Sequence, residues 1–222
     1  MYTERKTLTM ERVAETDMGI ITKSRRGTSQ RELNKLLREL LPAQGNWSEE
    51  DYLWLTDDTN RRVEYTDGFI EVLPMPTDKH QTVLQFLFLA INAFIVPLGG
   101  KALFAALRLR IREGKFREPD LLAVKDAKDP RRQNRFWTGA DLTMEVVSED
   151  KPARDLVDKR HDYAEGTVPE YWIVNPQDET ITVLKLEGPA YVEHGVFRRG
   201  DTATSLVLPG FRVSVDAVFD AE

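Results

Sequence analysis

The stretch LTMEVVSEDKPARDLVDKRHDYAEGTVPEYWIVNP, residues 142–176, decides the fold of this chain. It begins as an apolar strand, continues as a helix with Pro152 in its first turn and Gly166 at its end, and finishes as a second apolar strand. A strand, a crossover helix and a further strand predict a right-handed parallel unit in the core. Glu145 lies in the middle of the first strand, where a carboxylate needs a partner to offset its burial.

Hydrophobic periodicity extends this unit toward the N-terminus. HQTVLQFLFLAINAFIV predicts a helix over residues 80–96, and KALFAALRLRI and EPDLLAV each predict a strand. RRVEYTDGFIEVLP predicts a β-hairpin that turns at Asp67-Gly68.

The segment after Pro176 contains three further apolar runs, TITVLKLEG, AYVEHGVFRRG and TSLVLPG. These runs predict an antiparallel meander. The whole pattern indicates an α/β (α+β) fold, with a central mixed sheet flanked by helices and a C-terminal antiparallel β meander.

The first 45 residues predict an N-terminal extension with one amphipathic helix, separate from a domain over residues 46–222. Ser29 and Glu32 form a capping box, and Pro42 ends the helix. Its leucines share one stripe: Leu33, Leu36, Leu37, Leu40 and Leu41. Because this stripe has more apolar surface than a tail requires, we expect it to pack on its own domain or on a second subunit, and we favour a homodimer.

Composition narrows the class of protein. The 222 residues include no cysteine, which excludes disulfides, thiolate zinc sites and thiol nucleophiles. The sequence indicates neither a membrane segment nor a secretory signal, so we expect a cytoplasmic protein. The formal net charge of −6 argues against a protein that coats nucleic acid uniformly, although a local basic face is compatible with it.

Asp120 is the companion of Glu145. It follows Pro119 and opens the apolar run LLAV, so two neighbouring strands each carry one acid. Two such carboxylates repel each other unless a cation joins them, and Mg²⁺ commonly binds through one or two protein carboxylates. Taken alone, Asp120 could equally be an edge residue paired with a nearby arginine.

Lys159 adds a cation on the helix that follows Glu145. Leu156, Lys159 and Tyr163 fall at i, i+3 and i+7, which predicts that the lysine faces the sheet and that Tyr163 packs in the core. Taken alone, the lysine could extend to solvent or pair with Asp155 at i−4. The conjunction of two acids and an inward lysine on three consecutive elements favours a shared site.

These residues resemble the PD-(D/E)XK nuclease superfamily and, more closely, the Uma-two family of endonucleases. The resemblance covers roughly residues 47–218 and is carried by RVEYTDGFIEVLP, His80, EPDLLAV, MEVVSED and RDLVDKRHDYAEGTVPEYWIVNP. It implies a restriction-endonuclease-like core of a helix, three strands at about 102–112, 118–125 and 142–148, a second helix and a further strand. Val147 stands where the superfamily has its lysine, two residues after the glutamate. In the Uma-two pattern the following helix supplies that lysine, and Lys159 matches it.

The resemblance also implies a site. Asp120 and Glu145 would hold one Mg²⁺ or Mn²⁺ ion, and Lys159 would lie beside the attacking water. Glu64 and His80 match further characteristic positions of the family.

Two of these positions have open roles. Glu64 could complete the metal shell, or it could pair with Arg61 or Arg62 across the hairpin. His80 lies on the buried side of its helix, where a single histidine is more often a hydrogen-bonded structural residue than a ligand, so we place it next to the ligands.

The implied function is a metal-dependent endonuclease that hydrolyses phosphodiester bonds, with DNA as the expected substrate. Arg108, Arg110 and Arg112 alternate along one strand and could follow a phosphate backbone, or Glu113 and Glu118 could neutralise them. Two other functions fit the same residues: a non-catalytic nuclease-fold module for binding or dimerisation, and a metal-dependent phosphoesterase for RNA or a small substrate.

Overall fold

The computed structural model describes Glu39 and residues 41–59, 61–149 and 153–222. Residues Trp47–Glu222 form one compact unit. The amphipathic helix predicted between Ser29 and Leu41 falls almost wholly outside the described residues. That helix and the N-terminal extension over residues 1–45 therefore stay predictions.

The elements follow one another in a mixed order of helices and strands. The helices are α1 (Glu49–Asp57), α2 (Asp78–Ile95), α3 (Lys159–Glu165) and α4 (Val215–Phe219). The strands are β1 (Val63–Thr66), β2 (Phe69–Val72), β3 (Lys101–Phe104), β4 (Leu109–Arg112), β5 (Lys115–Arg117), β6 (Leu121–Val124), β7 (Leu142–Val146), β8 (Glu170–Asn175), β9 (Thr180–Glu187), β10 (Ala190–Phe197), β11 (Thr202–Thr204) and β12 (Arg212–Ser214).

A six-stranded mixed sheet lies at the centre, in the order β10-β9-β8-β7-β6-β3. Strands β7 and β8 are parallel, with Glu145 opposite Ile173, and the other neighbours are antiparallel. The parallel unit predicted for residues 142–176 is therefore confirmed. Strands β9 and β10 of the predicted meander extend the same sheet.

A second, four-stranded antiparallel sheet has the order β2-β1-β5-β4. Its hairpin turns at Asp67 and Gly68, as predicted, and these residues have φ angles of 47° and 91°. Positive φ at both central residues suits an aspartate followed by a glycine.

Three segments differ from the sequence prediction. The single strand expected at about 102–112 is two strands, β3 and β4, which belong to different sheets. Strand β5 corresponds to no predicted strand and pairs with both β1 and β4. The run TSLVLPG does not form the third strand of the meander, because β11 lies just before most of it and pairs with β12 in a separate two-stranded sheet.

Helices cover both faces of the central sheet. Helix α2 packs against the face that carries Leu121 and Met144, whereas Tyr163 of α3 packs on the opposite face with Leu122. Side chains alternate along a strand, so Glu145, next to Met144, projects toward α3. The fold thereby directs the acid of β7 toward the helix that carries Lys159.

Helix α2 also has an unusual composition. Together with the turn after it, Asp78–Leu98, it is long and apolar enough to cross a membrane by length and hydropathy alone. A single helix of this kind is weak evidence for a membrane-spanning segment, because the core helix of a soluble protein can have the same length and hydropathy. Its buried residues join the core cluster of the central sheet, and 28% of its most apolar 18-residue window is buried.

Candidate active site

Asp120 and Glu145 lie side by side where β6 begins and β7 ends. The Asp120 backbone N–H donates to Glu145 Oε2 at 3.4 Å, and the Val146 N–H donates to Asp120 Oδ2 at 2.9 Å. The antiparallel register, with Leu121 opposite Met144, accounts for this proximity. The two residues are only 3% and 1% exposed, so the structure brings the two predicted acids together in a buried position.

Both carboxylate oxygens of Asp120 have side-chain partners. Arg62 Nη1 donates to Oδ1 at 3.0 Å, and His80 Nε2 lies 3.0 Å from Oδ2. Burial alone would raise the pKa of Asp120, but the hydrogen bond of His80 and the charge of Arg62 hold that pKa well below its ordinary value. Asp120 is therefore ionised at neutral pH.

Glu145 has three donors around it. Lys159 Nζ lies 2.7 Å from Oε2, the Tyr163 hydroxyl donates to Oε1, and the Asp120 backbone donates to Oε2. Burial raises the pKa of Glu145 to about 8, with Lys159 opposing this rise and the charge of Asp120 adding to it. A cation shared by the two acids would relieve their repulsion.

Lys159 faces the site and is 4% exposed. Its Nζ contacts Asp155 Oδ1 at 3.0 Å as well as Glu145. The alternative that Lys159 extends to solvent is therefore wrong. The alternative that it pairs with Asp155 is confirmed, and this pair exists alongside the contact with Glu145. Burial lowers the pKa of Lys159, but these two acids outweigh that effect and keep the pKa above its ordinary value.

A π-helical turn over Arg154–Asp158 directs these side chains. This turn is wider than an α-helical one, so the 3.6-residue spacing does not hold through it. Asp155 is consequently buried, whereas Leu156, which the predicted stripe places inward, is 39% exposed. The predicted stripe is wrong at Leu156 for this reason.

Glu64 is buried in an adjoining ion network. Arg154 Nη2 donates to its Oε2, Arg117 Nε lies 3.5 Å from the same oxygen, and the Glu118 N–H donates to Oε1 at 3.2 Å. Burial would raise the pKa of Glu64, but the charges of Lys159, Arg117 and Arg154 bring it below its ordinary value. Its ion-pair partners are thus Arg117 and Arg154 and not the hairpin arginines expected in the alternative.

The two acids open onto a cleft of about 120 Å³. Its wall carries ionisable side chains of both signs: Arg62, Lys79, His80, Asp120, Glu145, Glu149, Arg154, Asp155 and Lys159. Carboxylate oxygens are the donors that a hard divalent ion prefers, and such an ion would offset the repulsion that helps raise the pKa of Glu145. The pair therefore fits Mg²⁺ or Mn²⁺, although an ion would compete with the cations already paired to the acids.

A different group of metal-type ligands lies on α3. The ligand atoms of His161, Asp162 and Glu165 lie within 4.8 Å of one another. Lys115 Nζ contacts Asp162 at 2.9 Å and Glu165 at 2.6 Å, and Arg117 Nε contacts Asp162 at 2.7 Å. Because these cations already neutralise both carboxylates, we assign no ion to this group.

The arginines at β4 form ion pairs and not an open cationic face. Their acid partners lie at 2.7–3.1 Å and come from other elements than expected: Arg108–Asp57, Arg110–Glu49, Arg112–Asp67 and Arg112–Glu165. Acids neutralise the three arginines, as the second alternative predicts, but these acids are not Glu113 and Glu118.

Sequence reasoning misses two residues of this site. Tyr163 is predicted to pack in the core, and it does so while also donating to Glu145. Its position four residues after Lys159 was the available signal. Arg62 lies 58 residues before Asp120, so no local spacing connects them.

Comparison with known proteins agrees with this fold. The family model Uma2, described as "Putative restriction endonuclease", matches residues 49–216. A crystal structure described as "a putative nuclease belonging to DUF820 from Anabaena variabilis" is 20% identical, covers 78% of this chain and 97% of that chain, and has a TM-score of 0.66. At this identity the likeness shows the fold alone. No curated protein sequence matches the chain significantly.

Proposed function

Because the chain belongs to the Uma2 family, we propose that it is a metal-dependent endonuclease that hydrolyses phosphodiester bonds in DNA. Membership of this family supports a nuclease that acts on nucleic acid. The observation that carries the proposal is the buried pair of Asp120 and Glu145, open to a cleft, with the Lys159 ammonium 2.7 Å from Glu145. Such a combination suits metal-assisted hydrolysis of a phosphodiester.

Each residue of the site has a role in this proposal. Asp120 and Glu145 would hold Mg²⁺ or Mn²⁺, which supplies Lewis-acid activation of water and phosphate when bound. Lys159 orients the nucleophilic water or stabilises the negative charge that develops on the phosphate oxygens. His80 and Tyr163 act as positioning residues, because they hold the carboxylates of Asp120 and Glu145 respectively.

Glu64 has a more distant role. It binds Arg154, which lines the cleft, and it contacts neither Asp120 nor Glu145 in any hydrogen bond or ion pair between described residues. We therefore assign Glu64 to the support of the cleft wall, in place of the direct metal ligation that the resemblance allows.

Cleavage of a supercoiled plasmid tests the function. We expect nicking by the parent chain in Mg²⁺ or Mn²⁺ and none in EDTA, and loss of nicking in Asp120→Asn and Glu145→Gln. Glu149→Gln is the matched control, since this acid lines the same cleft but is exposed. Cleavage that persists in EDTA, or in both site variants, would contradict the proposal. A parallel assay on single-stranded RNA shows whether the protein cleaves DNA, RNA or both.

One observation favours a second function, a non-catalytic module with a nuclease fold. All four carboxylate oxygens of Asp120 and Glu145 already have partners among Arg62, His80, Lys159 and Tyr163. Calorimetric titration of the metal-free protein with Mn²⁺ separates the two functions. A non-catalytic module of this kind would bind no ion at this site.

A further inference from the structure

Arg62 binds Oδ1 of Asp120, whereas His80 contacts the other carboxylate oxygen, Oδ2. Its Nη1 donates to Asp120 Oδ1 at 3.0 Å, and its Nη2 donates to the Glu118 carbonyl at 2.5 Å. The guanidinium lines the cleft of the two acids and also a neighbouring cavity of about 430 Å³. Arg62 is therefore an arginine at the junction of two cavities, in direct contact with a residue assigned to metal binding.

Both acids already have a cationic partner in the metal-free protein. Arg62 pairs with Asp120, and Lys159 pairs with both Glu145 and Asp155. A divalent ion would add two positive charges to this buried group, and like charges at such distances repel strongly. Arg62 would then gain by leaving Asp120 and meeting an anion.

The present pairing of Arg62 is also incomplete. Its Nε is buried and has no hydrogen-bond partner, and neither has Glu118 Oε2, which lies 3.6 Å away. A buried donor without a hydrogen bond is costly, and a phosphate offers two oxygens in a fork that can accept from Nε and one Nη of a guanidinium together. The arrangement around Arg62 therefore suits a residue with two alternative partners.

We propose that Arg62 exchanges partners, pairing with Asp120 in the metal-free protein and with a backbone phosphate of the nucleic acid when the metal site is filled. The inference rests on the proposed function, because it needs an ion at Asp120 and Glu145. It makes Arg62 a substrate-binding residue that also weakens metal binding in the absence of substrate.

Metal binding without substrate gives the first test. Calorimetric titration of the metal-free full chain with Mn²⁺ should show tighter binding to Arg62→Gln than to the parent, by about tenfold, since a competitor for Asp120 is gone. Arg62→Lys keeps a competing cation and should bind Mn²⁺ like the parent. Arg61→Gln is the matched control, because Arg61 lines only the neighbouring cavity.

Stability measurements guard against a variant that folds poorly. Arg62→Gln leaves Asp120 and Glu118 without a cation and should melt at a lower temperature in EDTA. Added Mn²⁺ should then raise its melting temperature by more than it raises that of the parent. A purely structural role for Arg62 predicts equal or smaller metal-induced shifts.

The affinity for nucleic acid should change in the opposite direction to the affinity for Mn²⁺. In Ca²⁺, a short fluorescein-labelled DNA duplex should bind Arg62→Gln about tenfold more weakly than the parent, because one charge-assisted phosphate contact is lost. Fluorescence anisotropy measures this affinity.

The outcomes separate this inference from the proposed function. If the parent binds Mn²⁺ and cleaves DNA while Arg62→Gln binds Mn²⁺ no more tightly, the exchange is wrong and the function stands. If Arg62→Gln binds the DNA duplex as tightly as the parent does, the proposed contact between Arg62 and a phosphate is wrong. If the parent neither binds Mn²⁺ nor cleaves, the proposed function fails and the exchange fails with it.

Discussion

Lys159 is a buried ammonium between two acids, and its removal should affect stability and catalysis together. We expect Lys159→Met to lower the unfolding free energy in EDTA by about 3–5 kcal/mol, because Glu145 and Asp155 lose their shared cation. The same variant should cleave about 10²- to 10³-fold more slowly at saturating metal. Urea unfolding and plasmid cleavage measure the two effects.

The matched control for Lys159 is an exposed lysine. Lys185 pairs with Glu187 at 2.9 Å on the surface, and Lys185→Met should change stability by under about 1 kcal/mol. Equal cleavage rates in parent and Lys159→Met would remove this lysine from the site.

Glu64 should make the fold sensitive to acid. A carboxylate whose pKa is lowered by folding stabilises the protein above its unfolded pKa of about 4.5, and that stability is lost as the pH falls through the folded value. At pH 7, Glu64→Gln should lower the unfolding free energy by about 3 kcal/mol, since Arg154 and Arg117 lose a buried partner. Unfolding of both proteins at several pH values should show the difference shrinking below about pH 4. A difference that stays constant with pH would contradict the assignment.

Single residues differ in how far the sequence could reveal them. Asp120 and Glu145 interrupt apolar strands, and such an interruption is visible without a structure. Lys159 follows from helical spacing, since it lies on α3 itself. Arg62 precedes a hairpin and looks like any polar hairpin residue, because its partner comes from a strand formed 58 residues later.

The π turn before α3 is the element on which the site depends. Deleting Val157, which is 63% exposed, should convert the turn to α-helical spacing and rotate Arg154 and Asp155 by about 100° relative to α3. Their contacts to Glu64 and Lys159 should break, and cleavage should fall below detection while far-ultraviolet circular dichroism stays close to that of the parent. Val157→Ala is the control and should change stability by under about 0.5 kcal/mol. Full activity in the deletion variant would show that the turn is dispensable.

Elements were predictable where one periodicity runs through them. Strands β7 and β8 are largely apolar and lie on either side of a predicted helix, so their parallel pairing follows from that helix. The run KALFAALRLRI stays apolar from Ala102 to Leu107, across the end of β3, and alternates only afterwards, so its pattern does not show that the chain changes sheets. The π turn is invisible for a similar reason, because helical templates assume one spacing throughout.

At the scale of the whole molecule, charge limits how nucleic acid can bind. The cleft carries four lysines or arginines, Arg62, Lys79, Arg154 and Lys159, and four acids, Asp120, Glu145, Glu149 and Asp155, while the chain has a net charge of −6. Such a cleft attracts phosphate only after a cation fills it. We therefore expect a DNA duplex to bind in Ca²⁺ and to lose at least about tenfold in affinity in EDTA at the same ionic strength, as anisotropy would measure. Equal affinity in both buffers would place the nucleic acid elsewhere.

Assembly is a separate property of the whole chain. The leucine stripe predicted before residue 42 leads us to propose a homodimer. Sedimentation of the full chain should show a dimer, and removal of residues 1–45 should yield a monomer if that stripe forms the interface. A full chain that sediments only as a monomer would exclude the dimer.

The contact between the start of α2 and the end of α4 has a consequence for the synthesis of the protein. Lys79, next to His80, donates from Nζ to the Phe219 carbonyl at 2.6 Å across 140 residues of sequence, and the ring of Phe94 lies 5.5 Å from that of Phe211. At about 5–20 residues per second these partners are made roughly 6–28 s after α2. During that interval α2 exposes apolar side chains that the C-terminal segment covers in the finished protein. A half-made chain also lacks Asp120, Glu145 and Lys159, so the candidate site is absent until synthesis has passed these residues.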